Sequence, residues 1–391
     1  MSATRSSIQS VVPENLRGVD QADLENSLAR ARRLMEEAVG IDSHIDTIQR
    51  VMLGEDLGKR HDTGHVDLPR LREGEMHAPF FALWVPVFFR GAEAVRRTLD
   101  LRDAMQSVLD EYKDQLELAI TAADIERIVK AHKIAAFLTI EGGHAIDDDL
   151  AVLRTYYRLG IRSMTLTHAR NTNWADSASD TPAHNGLTDF GKEVVREMNR
   201  LGMLVDLAHV SDQTFYDALA VTTKPVLVSH SSMRAISKFA RNVSDEMLRA
   251  LARNGGVIGI NFGMGFINPK DVEKLLSATE TEAEAPSLTG RALDEYAAKN
   301  AQKLFGQRAT VVATVEDVAD HIDHAVKTAG IDHVGIGSDF DGIAGTANGL
   351  EDVSKMPALI AVLLKRGYAE SDLKKILGEN FLRVIREVTD E

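Results

Sequence analysis

The chain has 391 residues, 44% hydrophobic and 27% charged, with a formal net charge of −14 and no cysteine. That length and apolar content support a sizeable core, while an acidic balance without a Lys/Arg cluster argues against nucleic acid or an anionic membrane as partner. The missing thiols exclude a disulfide framework, a thiolate zinc site and a cysteine nucleophile within this sequence.

Residues 1–19 read as irregular and polar, punctuated by Pro13 and Gly18, with no apolar core of signal-peptide length. The expected compartment is the cytoplasm, or the periplasm or cell exterior where a signal peptide has been removed. Asp20 is placed to cap a helix over residues 21–38, whose leucines and alanines recur at helical spacing. Beyond it, apolar runs of strand length alternate with longer amphipathic segments. The expected strands are Ile41–Asp46, Phe80–Val87, Ile134–Glu141, Ser163–His168, Leu204–His209, Val226–His230, Val257–Phe262 and His333–Asp339. Continuous apolar strands separated by helices are the mark of parallel βαβ units, buried on both faces. Eight of them predict a (β/α)8 TIM-type barrel, a fold that takes about 250 residues plus insertions. An open doubly wound sheet would not bring ligands from several separate strand ends around one point.

The longest insertion, Asn268–Ala313, follows the seventh strand and carries an acidic TETEAEAP piece and a helical stretch near RALDEYAAKNAQKLFG. It reads as a lid, an oligomer contact or a solvated excursion. The expected organisation is a helical extension over residues 1–37 and a single catalytic domain over 38–391. No apolar run is long enough to span a bilayer.

Five residues end apolar runs and are of metal-ligating type: His44, Asp46, Glu141, His209 and His230. His44 and Asp46 form His-x-Asp, and side chains two apart on a strand share a face. Each signal alone is weak, since a lone histidine on an apolar run is more often a hydrogen-bonded core residue. Together they place three imidazoles and two carboxylates on one barrel rim. That is too many for one tetrahedral zinc with an open position, and suits two metals about 3.5–4 Å apart. Glu141 is the natural bridge, because a carboxylate has two oxygens. Nitrogen and oxygen ligands point to zinc first, with cobalt or manganese as alternatives.

Around this centre, Asp339 ends the eighth strand as a general base and later proton donor, unless it or Asp341 merely caps a loop. His168 ends the fourth strand as a donor to a developing oxyanion or as a satisfied rim histidine. Arg241 follows the sixth strand, able to fork a substrate carboxylate or to sit in a surface ion pair. His61, His65, His321 and His324 read as solvated or structural.

The segments DSHIDT, VDLPRLREG, TIEGGHAI, LTHARNTNWADS, GLTDFGKEVVREMNRLGMLVDLAHVS, PVLVSHSSMRAI, RNVSDEML and HVGIGSDFDG occur in this order. Together they resemble the membrane (renal-type) dipeptidase family over nearly the whole chain from about residue 38. The resemblance implies an amidohydrolase-type barrel, two zinc ions per subunit and hydrolysis of dipeptides, with tolerance of a D-residue at the C-terminal position and, in some members, β-lactam opening. Matched residue by residue, the family's zinc ligands fall on His44, Asp46, Glu141, His209 and His230. Its acid/base aspartate falls on Asp339, its transition-state histidine on His168 and its carboxylate-binding arginine on Arg241. Arg170 and Asn173 depart from the family pattern. Phe266 stands where mammalian-type members carry a tyrosine, so Arg241 is expected to do more of the carboxylate binding.

The expected activity is therefore a binuclear zinc dipeptidase acting on a dipeptide partner, with no nucleic acid or membrane partner, and a homo-oligomer of two or more copies. The rival readings are an amidohydrolase acting on an N-acyl amino acid, a cyclic imide or a β-lactam, and a degenerate member that only binds metal or peptide.

Overall fold

The computed structural model describes residues 21–279, 287–306 and 309–389. Among the described residues, nine strands make one wholly parallel sheet: β1 (Ile41–Ile45), β2 (Ala78–Trp84), β3 (Leu116–Ala119), β4 (Ile134–Glu141), β5 (Ile161–Thr165), β6 (Leu204–Asp206), β7 (Leu227–Ser231), β8 (Val257–Ile260) and β9 (Val334–Ile336). β1 pairs with both β2 and β9, and the register Phe80↔Phe137 to Trp84↔Glu141 joins β2 to β4 and closes the ring. The fold is thus a (β/α)8 barrel of β1, β2 and β4–β9, as the alternation of apolar runs and helices predicts.

β3 is the exception. It pairs only with the first half of β4, from Leu116↔Ile134 to Ala119↔Phe137, and stays outside the closed ring. The expected strands leave Leu116 in the stretch between Phe80–Val87 and Ile134–Glu141, but the helix there ends at Glu111 and a strand follows it. LELA escapes notice because it is four residues long with two half-buried acidic or apolar positions, so no continuous apolar run announces it.

Most barrel strands also stop short of the expected ends: β6 at Asp206 rather than His209, β5 at Thr165 rather than His168, β9 at Ile336 rather than Asp339. Apolar character continues to the rim, but there the chain leaves the ladder and bends inward. His209, Asp339 and Asp341 take left-handed φ of 66°, 65° and 64°. L-residues adopt that region at a cost of order 1–2 kcal/mol, which the surrounding contacts must offset.

The opposite mouth is sealed by apolar packing. The strand-opening residues Ile41, Ala78, Leu204, Leu227 and Val257 are buried with Phe80 of β2, Phe137 of β4 and with Phe381, Leu382, Val384 and Ile385 of the C-terminal helix Asn380–Thr389. Phe80 stacks on Phe137 with ring centroids 4.4 Å apart, and Phe381 is so close to β9 that Gly335 has no room for a Cβ. The N-terminal helix Gln21–Glu37 is present as expected and buries Leu28, Ala31, Leu34 and Met35, packing against the helix Met356–Lys365. Its expected cap Asp20 lies outside the described residues.

The insertion after β8 contributes the helices Val272–Thr279 and Gly290–Gly306, and of TETEAEAP only Thr279 lies among the described residues. Gly290–Gly306 packs on the helix Ile48–Met52, and is tied to the helix Ala92–Glu111 by Arg96–Asp294 at 2.7 Å. Its Tyr296 meets Phe88 edge-on. The insertion therefore walls one side of the barrel mouth. Among the described residues no helix is long and apolar enough to cross a membrane.

Removing the bottom plug tests this packing. Phe381→Ala should destabilise the fold by about 3–5 kcal/mol, the usual cost of deleting a buried aromatic ring. Denaturant titration followed by circular dichroism reads it as a lowered midpoint with little change in slope.

Candidate metal centre

The chain's chemistry gathers at the C-terminal rim of the strands, the face where barrels of this type carry their sites. His44 lies within β1 and Asp46 just beyond it; Glu141 is the last residue of β4; His230 lies within β7. His168 and His209 sit three residues past β5 and β6, and Asp339 three past β9. All seven are buried or nearly so, and the structure brings all seven together.

Glu141 is at the centre. Its Oε1 lies 2.9 Å from His209 Nε2 and 3.3 Å from His230 Nε2, while its Oε2 lies 3.3 Å from His44 Nε2. Asp46 Oδ2 is 3.2 Å from the same His44 nitrogen, and His168 Nε2 stands 3.7 Å from Glu141 Oε1. The Nε2 atoms of His209 and His230 are only 2.9 Å apart. Two imidazole nitrogens approach so closely only with a shared proton or a cation between them. His44 Nδ1 and Nε2 and Asp46 Oδ1 are buried and make no hydrogen bond. Unpaired buried donors and acceptors are costly, and converging lone pairs are what a cation would satisfy. Among the described residues, three groups converge closely enough to hold an ion: His44, Glu141 and His230; Glu141, His168 and His209; His44, Asp46 and Asp339. The donor set fits hard-to-borderline divalent ions.

The electrostatics follow from burial. Burial pushes the Asp46 and Asp339 carboxyls up, since neighbouring Glu141 adds to the cost of their charge. His209 and His230 are held well below the ordinary imidazole value, first by burial and then by the positive charges of Arg241 and, for His230, His44. Glu141 is driven the other way: burial opposes its charge, but His44, His168 and its bonds to His209 and His230 hold it well below the carboxylate range.

Supporting contacts fix the orientation of these groups, and several are residues the sequence does not single out. Trp84 Nε1 donates to His168 Nδ1 at 3.4 Å, and an indole can only donate. With Nδ1 accepting, a ring proton of His168 sits on Nε2, facing Glu141. Ser229 Oγ lies 2.8 Å from His230 Nδ1, leaving Nε2 toward the centre. Asn261 Nδ2 donates to Asp339 Oδ2 at 2.8 Å. Buried Asp42, pushed up to about 6 by burial, accepts from Ser338 N at 2.9 Å and so holds the residue before Asp339. Asp42 is visible within DSHIDT, but nothing local in the sequence separates its role from that of Asp46.

Asp341 does what the rival reading of this loop supposes. It accepts from Thr47 Oγ1 at 2.8 Å and His65 N at 2.6 Å, and faces Arg50 at 3.3 Å. Burial opposes its charge, but Arg50 and His65 hold it below the ordinary value. Gly342 next to it is required: a Cβ there would strike both Asp46 and Asp339. His65 thus joins this loop, accepting from Asp341 N at 2.8 Å, and buried His321 links Met233 N and Ile267 O. His61 bonds Asp56 O, and His324 pairs with Asp245 on the helix Asp245–Asn254.

Arg241 is buried in the loop after β7. Its Nη2 is 3.0 Å from His209 Nε2, its guanidinium lies 4.6 Å over the Phe266 ring, and its Nη1 has no hydrogen-bond partner. Phe266 thus supports the guanidinium by its π face and offers no hydroxyl. The cluster opens into a cavity of about 570 Å³, whose walls include Trp84, Arg170, Arg241, Phe266, Leu276 and Asp339. That volume is in the range of small-molecule sites, roughly 300–1,000 Å³.

Known proteins resemble this chain in sequence and in fold. The family described as "Membrane dipeptidase (Peptidase family M19)" matches residues 28–391. Dipeptidase tcpJ of Claviceps purpurea (strain 20.1) is 39% identical over 336 residues, covering 84% of this chain and 70% of that protein. The crystal structure described as the probable dipeptidase PvdM from Pseudomonas aeruginosa superposes with a TM-score of 0.79 at 26% identity, covering 94% of this chain and 99% of the other. A metallo peptidase from Rhodobacter sphaeroides, liganded with a phosphinate mimic of the dipeptide L-Ala-D-Ala, gives a TM-score of 0.74 at 25% identity, covering 90% and 99%. The chain belongs to the membrane dipeptidase family, peptidase family M19.

Proposed function

We propose that this metallo-dipeptidase works with two zinc ions, held by His44, Asp46 and Glu141 on one side and by Glu141, His209 and His230 on the other. The observation that carries this reading is the division of Glu141: one oxygen faces His44 and the other faces the His209–His230 pair. When bound, two divalent ions supply a polarised scissile carbonyl and an activated water.

The chain's own residues do the rest. Arg241 takes the substrate's C-terminal carboxylate, using the Nη1 that lacks a partner, with Phe266 beneath the guanidinium. His168, with its proton on Nε2, donates to the oxygen that gains charge as the carbonyl is attacked. Asp339 takes the proton of the attacking water and returns it to the leaving amine nitrogen; the bond from Asn261 leaves its other oxygen to face the cluster. A carboxylate anchored beside the reacting bond favours short substrates. Tolerance of a D-residue at the C-terminal position is part of this proposal. It draws support from the Rhodobacter sphaeroides relative, whose bound mimic is of L-Ala-D-Ala.

The reading is tested by metal analysis and turnover together. Zinc-loaded protein should carry two ions per chain by plasma mass spectrometry and hydrolyse both L-Ala-L-Ala and L-Ala-D-Ala. Glu141→Gln should bind fewer than two ions, since it removes the shared ligand; two tightly held ions in that variant would sink the bridging assignment. Asp339→Asn should lower kcat by about 10²–10⁴-fold, the range of a lost general acid–base, with zinc content unchanged. Arg241→Ala should raise KM for free dipeptides while leaving the already weak hydrolysis of their C-terminal amides unaltered. An equal loss on both would remove Arg241 from carboxylate binding.

A further inference from the structure

Three arginines line the cavity, and they differ in what neutralises them. Arg170 is paired with Asp180 at 3.4 Å, and Arg241 is accounted for by the terminal carboxylate in the reading above. Arg97 has no such partner. It rises from the helix Ala92–Glu111 after β2, is only 7% exposed, and has no carboxylate within ion-pair distance among the described residues. Its Nη2 donates to Gln49 Oε1 at 2.7 Å, its guanidinium lies 5.5 Å from the Phe89 ring, and its Nε is buried without a hydrogen-bond partner. Gln49 is fully engaged in turn, its Nε2 donating to Trp84 O at 2.7 Å. A second donor without a partner lines the same cavity: Asn300 Nδ2, from the insertion helix Gly290–Gly306 that packs on the Gln49 helix.

The Arg97 Nε–H and an Asn300 amide N–H, both buried without an acceptor, leave this wall short of negative charge. Burial holds the Arg97 guanidinium below its usual value, with Asp294 and Asp100 only partly offsetting it. A carboxylate brought into the cavity would meet the Arg97 guanidinium and the Asn300 side chain, both of which line it, and charge-assisted bonds in a dry site are the stronger kind.

The barrel's ring order says which part of a dipeptide arrives there. Around the closed ring β1, β2, β4, β5, β6, β7, β8 and β9, the strands β2 and β7 are diametrically opposite. Arg241 follows β7 and Arg97 follows β2. A dipeptide held at Arg241 by its C-terminal carboxylate, with its peptide bond over Glu141, therefore points its N-terminal residue toward Arg97.

We infer that Arg97, with Asn300 beside the same cavity, forms a subsite for an acidic side chain on the N-terminal residue of the dipeptide. The inference rests on the dipeptidase reading above and adds the substrate class: aspartyl and glutamyl dipeptides are preferred over their neutral isosteres. Trp84 and Phe88 on the same side of the cavity supply apolar surface for the methylenes of such a side chain.

The test compares kcat/KM of the zinc-loaded enzyme on Glu-Ala, Gln-Ala, Ala-Glu and Ala-Gln. Glu-Ala should exceed Gln-Ala on the order of 10- to 100-fold, the range of a charge-assisted pair, while Ala-Glu and Ala-Gln differ little. Arg97→Met should collapse the Glu-Ala to Gln-Ala ratio toward one, and Arg97→Lys should retain part of it. Asn300→Asp, on a partly exposed helix position, should lower the same ratio by opposing the incoming charge. A wild-type ratio near one, a preference confined to the Ala-Glu pair, or a ratio that survives Arg97→Met overturns the subsite. Hydrolysis of none of the four peptides overturns the dipeptidase reading, and the subsite with it.

Discussion

The rim of this barrel is organised around one buried carboxylate whose two oxygens serve different imidazoles. Glu141 ends the longest barrel strand, so its backbone is fixed by pairing to β2 up to its own position, Trp84↔Glu141. From there Oε1 reaches His209 and His230, and Oε2 reaches His44. A side chain on a loop would not hold two oxygens to that tolerance. Everything else at the rim follows from filling the space on either side of it with nitrogen and oxygen donors. Burying so many of them together is unfavourable unless positive charge is shared among them. The opposed displacements of Glu141, Asp46, His209 and His230 from their ordinary titration ranges express that single imbalance.

Holding the donors in place requires backbone that does not relax on its own. His209, Asp339 and Asp341 occupy left-handed φ without being glycine, and each is secured by something buried. Asp339 is flanked by Asp42, which holds Ser338, and by Asn261, which holds its carboxylate. Asp341 is fixed by Thr47, His65 and Arg50, across 294, 276 and 291 positions of sequence. His209 is bracketed by its carbonyl's bond from Ala178 N at 2.8 Å. Strain of this kind concentrates where function needs a side chain aimed rather than merely packed.

The strands that build the barrel were legible because parallel strands buried on both faces read as unbroken apolar runs, and the candidate ligating residues stood out because six of the eight expected runs end in Asp, Glu or His. What escaped has a different physical character. β3 is short and half-exposed, so it lacks the apolar signature. The true strand ends fall earlier than the apolar runs suggest, since Leu207, Ala208 and Phe340 remain buried after the ladder has stopped. Asn261 read as one residue of an apolar strand, and Arg97 as one polar position on an amphipathic helix. Nothing in their neighbourhood along the chain distinguishes them; their partners Asp339 and Gln49 are 78 and 48 positions away. Residues whose chemistry is local are readable, and residues whose meaning lies in a distant partner are not.

The site divides into two kinds of structure with different freedom. The clustered His, Asp and Glu side chains are carried by strands and the first residues beyond them, where ring closure leaves little room for change. The cavity's side walls come from the helix after β2, the loop after β7 and the insertion after β8, elements that can alter a side chain without disturbing the ladder. The three cavity arginines illustrate the difference. Arg170 is neutralised by Asp180 from its own loop, so it adds bulk and hydrogen bonds without net attraction. Arg241 lies against His209 and Phe266, close enough to feel every charge at the centre. Arg97 sits across the ring, bonded to a neutral amide, with its charge only partly offset by Asp294 and Asp100. A field of that form, positive at two opposite walls with the donor cluster between them, favours a substrate that is negative at both ends over one that is negative at one. The reaction is then a property of the ring, and the choice of substrate a property of what the ring's connections place around it.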